Sequence, residues 1–65
     1  MLTARQVVDK LGGPAILARK LGISPSAVYA WIKNNEIPSG RAIQFAKEYG
    51  DVLEFEEIPA KGERA

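Results

Sequence analysis

Residues 14–33 read PAILARKLGISPSAVYAWIK, and the position of Gly22 within them decides the fold. Pro14 suits the first position of a helix, where a missing N–H does no harm. From there Ile16, Leu17 and Leu21 recur at helical spacing, with Ala18 between them. Gly22 can take the left-handed conformation that stops a helix. Ser24 caps the next one, with Pro25 in its first turn, and that helix runs to about Lys33 or Asn34. Two helices that cross steeply need a small residue at close approach, a positive-φ turn and apolar side chains meeting from both sides. Ala18 and Gly22 meet the first two needs. Leu17, Leu21, Ile23, Val28 and Trp31 meet the third, so the stretch is expected to form a helix-turn-helix.

What remains outside is as informative. Pro25, Ser26, Tyr29, Ala30 and Lys33 fall on the face opposite Val28 and Trp31. That spacing sets short polar or apolar side chains, ending in a cation, along one exposed stripe able to enter a DNA major groove. A random amphipathic hairpin would satisfy the inner face alone.

The rest of the chain builds outward from this unit. Thr3 and Gln6 form a capping-box pair opening a first helix over about Ala4 to Leu11, with Val7, Val8 and Leu11 inward and Gly12 at its end. Asn35 to Pro38 read as a loop. Ser39 caps a fourth helix over about Gly40 to Tyr49, in which Ala42, Phe45, Ala46 and Tyr49 form the apolar stripe, with Ile43 beside them, and Gly50 closes it. Asp51 and Glu54 suggest caps for a short fifth helix through Glu57. An edge strand with Leu53 and Phe55 on one face is the alternative for residues 52–58, and the helix is favoured. The expected class is all-α, four to five short helices. One domain is expected over residues 1–58, with 59–65 a disordered tail.

Bulk properties narrow the function. The 65 residues contain no cysteine and no histidine, which removes disulfides, thiolate sites and the commonest metal ligand. A chain of this size buries only about 60% of its unfolded surface, so pairing with a second copy is expected to help it. No apolar run nears the roughly 20 residues of a membrane span, and MLTARQ lacks a signal-peptide core; a cytoplasmic, nucleoid-associated protein of a bacterial host is the expectation. Net charge is only +1. Seven cations (Arg5, Lys10, Arg19, Lys20, Lys33, Arg41, Lys47) nevertheless face three carboxylates in residues 1–50, whereas residues 51–65 are acidic. A basic body with an acidic end suits a duplex partner. No nucleophile–base pair, glycine-rich phosphate loop or metal-ligand cluster is present to suggest an enzyme. No cofactor, metal or small-molecule ligand is expected.

GGPAILARKLGISPSAVYAWI followed by IPSGRAIQF resembles the small phage Cro-type repressors and the related YdaS-like regulators of the lambda-repressor-like helix-turn-helix superfamily. The likeness covers roughly residues 5–50 and is most specific from Leu17-Ala18 through Trp31. It implies that the third helix reads DNA and that the protein binds an operator as a dimer. Two residues depart from the pattern. Pro14 stands where relatives often carry a glutamine able to bond a phosphate, which leaves the backbone N–H groups of Ala15 and Ile16 as the anion site. Tyr29 is bulkier than the serine common there, so no sequence preference transfers.

Candidate roles follow. Ser26, Tyr29, Ala30 and Pro25 are the base-reading candidates: Ser26 as donor or acceptor, Tyr29 and Ala30 against a thymine methyl. Lys33, Arg19, Lys20, Arg41, Ser24, Ala15 and Asn34 are the phosphate candidates, with Ser24 and Ser39 acting first as caps. Trp31 is expected inside, dominating the small core. Leu53, Phe55 and Ile58 are too apolar for a free tail and are expected at a dimer contact, covering the core being the alternative. The leading function is a sequence-specific, Cro-like repressor, a homodimer on a palindromic operator that blocks polymerase. The alternatives are a protein-interaction module (antitoxin or adaptor), favoured by the acidic, apolar C-terminal segment, and an excisionase-like architectural DNA binder.

Overall fold

A computed structural model describes residues 1–61 of the chain. Among them are four α-helices: α1 (Ala4–Lys10), α2 (Pro14–Leu21), α3 (Pro25–Asn34) and α4 (Ser39–Glu48). Two two-residue strands, β1 (Ile37–Pro38) and β2 (Ala60–Lys61), and a 3-10 turn at Phe55–Glu57 complete the order. The expected all-α helix-turn-helix class holds, with a small parallel strand pair added.

Local chemistry sets the helix ends. Gln6 N–H donates to Thr3 Oγ1 at 3.1 Å and Thr3 N–H donates to Gln6 Oε1 at 2.9 Å, the reciprocal capping box read from the sequence. Three helices then close alike. Gly13 N–H donates to the Val8 carbonyl at 3.0 Å, Ile23 N–H to Ala18 at 3.1 Å and Glu36 N–H to Trp31 at 3.1 Å. Each is paired with a shorter-range bond from Gly12, Gly22 or Asn35. This double closure turns on a positive-φ residue, supplied by Gly12 (φ 107°), Gly22 (φ 72°) and Asn35 (φ 54°). At Gly22 the turn between α2 and α3 follows directly from that backbone.

The core gathers Ala4, Val7, Val8 and Leu11 from α1, Leu17 and Ala18 from α2, Val28 from α3 and Ala42 and Phe45 from α4, with Ile37, Leu53 and Ile58 between them. Helices α1 and α2 both pack on α3, while α4 packs on β1 and the C-terminal turn. Phe45, not Trp31, is the largest fully buried side chain. Trp31 sits half-buried against it, ring centroids 6.3 Å apart and planes tilted by 58°. Ile16 and Ile43, each 50% exposed, lie at the edge of their stripes.

Several expectations need correction. No α-helix forms over Asp51–Glu57; only the 3-10 turn does, opened by Glu54, whose N–H donates to Glu57 Oε1 at 3.2 Å. Leu53 (1% exposed) and Ile58 (0%) lie in the protomer's own core, the alternative placement for these residues, and Phe55 is half-buried against it. The physical reason is size: four short helices cannot enclose a core alone, so the chain returns to cover it. Order also runs past residue 58. Ile37 N–H donates to the Pro59 carbonyl at 2.8 Å, and β1 pairs in parallel with β2, Ile37 opposite Ala60 and Pro38 opposite Lys61. Ile37, read as a loop residue, is therefore fully buried. The remainder of the expected tail, residues 62–65, lies outside the described residues.

Candidate nucleic-acid interface

Helix α3 is amphipathic across its width. Val28 is fully buried, and Ala27, Trp31 and Ile32 are half-buried on the same side. The exposed side carries two rows at i, i+4 spacing: Pro25, Tyr29 and Lys33 in one, Ser26, Ala30 and Asn34 in the other. Tyr29 is 57% exposed, an unusual placement for a large ring. Ten residues give a rod about 15 Å long, stiffened from behind by α1 and α2. All four base-reading candidates are open to solvent together on it.

The phosphate candidates divide. Lys33 and Asn34 are exposed in the last turn of α3, and Arg19 is exposed in the last turn of α2. Lys20 lies over the residue that ends α4, its Nζ 5.9 Å from the centroid of the Tyr49 ring. Arg41 is half-buried, and its Nη1 donates to Gln44 Oε1 at 3.0 Å; Gln44 Nε2 in turn donates to Glu48 Oε2 at 3.4 Å. Both cations thus have contacts within the protein. Ser24 precedes α3 with extended backbone, yet its side chain makes no capping bond, contrary to expectation; Pro25 already removes one amide that would need a cap. Ser39 is the first residue of α4 and likewise caps nothing with its side chain. Ala15 is exposed at the start of α2, where the first intrahelical bond runs from Leu17 N–H to the Gly13 carbonyl at 2.9 Å. The amides of Ala15 and Ile16 precede that bond at the helix's positive end.

Two features escaped the sequence reading. Asn35 uses its side chain within the fold, accepting from Ala4 N–H at 2.8 Å. Lys61 reaches the side of α3: it lines a cleft of about 230 Å³ with Ala30, Trp31, Asn34, Glu36 and Pro38. No local signal marks either, since both depend on chain segments far apart in sequence.

Residues 3–47 match the family model of the DNA-binding transcriptional regulator Cro. The chain belongs to that family. The match spans α1, α2, α3 and β1 and reaches the penultimate residue of α4, so it contains the whole helix-turn-helix and stops before the C-terminal turn and β2. This Cro-family protein is a DNA-binding transcriptional regulator, and the family is not one of enzymes. No curated protein and no solved structure matches the chain. No helix among the described residues is long and apolar enough to cross a membrane.

Proposed function

We infer that the protein is a repressor that reads a palindromic operator with α3 in the major groove. It acts as a homodimer whose two copies of α3 meet half-sites about one helical turn, 34–36 Å, apart. The observation that carries this reading is the two exposed rows on α3. They present hydroxyl, methyl and aromatic groups over a face whose reverse side is anchored by Val28. Ser26, Tyr29, Ala30 and Pro25 meet base edges. Lys33, Arg19, Lys20, Arg41, Ser24, Asn34 and the Ala15 amide meet phosphate. Occupying the operator blocks polymerase. The adaptor reading has less support, because Leu53 and Ile58 of the apolar C-terminal segment are buried in the core. An excisionase-like wing hairpin has no place in residues 39–48, which are helical.

Selection of binding sites from random duplexes, with sedimentation of the free and bound protein, tests the reading. A recovered inverted repeat bound by two protomers is expected, with log K falling against log salt by about 0.9 per phosphate neutralised. Recovery of no consensus together with a flat salt dependence would overturn it.

A further inference from the structure

We propose that Lys61 contacts a backbone phosphate of the bound duplex, so that β2 extends the DNA-binding surface beside α3. The proposal rests on α3 facing DNA and adds a residue that lies beyond the family match, which ends at residue 47.

The register of the strand pair fixes where Lys61 stands. In the parallel pair Ile37 opposes Ala60 and Pro38 opposes Lys61. Side chains alternate across a strand, and Ile37 is fully buried, so Pro38 and Lys61 share the outward side, where both are exposed. That outward side adjoins α3: Lys61 lines one cleft with Ala30 and Asn34. These two belong to the row that begins at Ser26, on the face inferred to enter the groove. A major groove is about 12 Å wide and walled by phosphates on both sides. A cation flanking one row of the inserted helix meets such a wall, as Lys33 does at the end of the other row. The main-chain bond from Ile37 N–H to Pro59, 2.8 Å, anchors the segment just before Lys61. The backbone there is thus ordered on folding, and only the exposed Lys61 side chain is ordered on binding. The cleft also holds Glu36, whose charge opposes phosphate. The two residues therefore act in opposite senses at one place.

The test uses the full chain and a fluorescein-labelled duplex of random sequence, titrated over a range of salt. Lys61→Gln is expected to weaken binding and to lower the slope of log K against log salt by about 0.9, one phosphate contact. Lys61→Arg is expected to restore both. Glu36→Gln is expected to tighten binding to the same duplex. Lys61 is exposed, so thermal melting of Lys61→Gln should match the parent and separate a lost contact from lost folding. An unchanged slope in Lys61→Gln overturns the proposal. If Ser26→Ala and Tyr29→Ala still impair binding to the selected operator in that case, only the Lys61 contact fails. If they do not, the placement of α3 in the groove has failed first.

Discussion

The backbone N–H of Ala4 donates to Asn35 Oδ1 at 2.8 Å, joining the first turn of α1 to the end of α3 across 31 residues of chain. Asn35 performs two tasks at once. Its left-handed backbone (φ 54°) closes α3, and its side chain satisfies an amide that α1 cannot. Asparagine tolerates that conformation better than most residues and carries the acceptor as well. Helix α3 is thereby tied to α1.

The two tasks separate by substitution. Asn35→Gly keeps the left-handed closure and loses the acceptor, and is expected to destabilise by about 1 kcal/mol. Asn35→Ala loses both and should cost about 1–2 kcal/mol more. In a domain of this size each kcal/mol moves Tm by about 4–8 °C, so calorimetry resolves the order. Asn35→Gly melting at or above the parent would show that the Ala4 bond contributes nothing.

Ile58 discriminates core from interface. Its side chain is fully buried within one protomer, so Ile58→Ala should lower stability by about 2–5 kcal/mol. The size of that loss should be the same at low and high protein concentration. Val52, 47% exposed nearby in sequence, should tolerate alanine within about 0.5 kcal/mol. A loss at Ile58 that vanishes on dilution would instead mark a dimer contact.

Gly22 and Gly40 make a contrasting pair. Neither would bring a new Cβ within 4 Å of other atoms, but only Gly22 has positive φ, 72°. Gly22→Ala is expected to cost about 1–2 kcal/mol through backbone strain. Gly40→Ala, inside α4, should stabilise by about 0.5–1 kcal/mol. Equal effects in denaturant melts would refute the assignment of the turn.

On DNA, Tyr29→Ala should reduce discrimination between the selected operator and a variant duplex by about 1–3 kcal/mol while leaving Tm nearly unchanged. Lys33→Gln should weaken both duplexes alike and lower the salt slope by about 0.9. The opposite pattern, with Lys33 carrying the sequence preference, would require α3 to sit in the groove in another orientation.

Much of the fold is legible locally because its signals are local. Thr3 and Gln6 lie within one turn and cap each other. Gly12 and Gly22 stop helices through their own backbone dihedrals, and the alternation of Val28 with Tyr29 and Lys33 follows from helical period alone. The helix-turn-helix and its exposed face were readable for that reason. The fate of Leu53 and Ile58 was not. Apolarity says that a side chain leaves water, but not whether its own core or a second copy receives it; only the packing of α4 against the C-terminal turn decided that. Ile37, Asn35 and Lys61 belong to the same class. Each owes its role to a partner more than 20 residues away, Pro59, Ala4 and Ala30 respectively. A contact between distant segments costs loop-closure entropy that no local propensity reveals, so it is visible only once the whole chain has closed on itself.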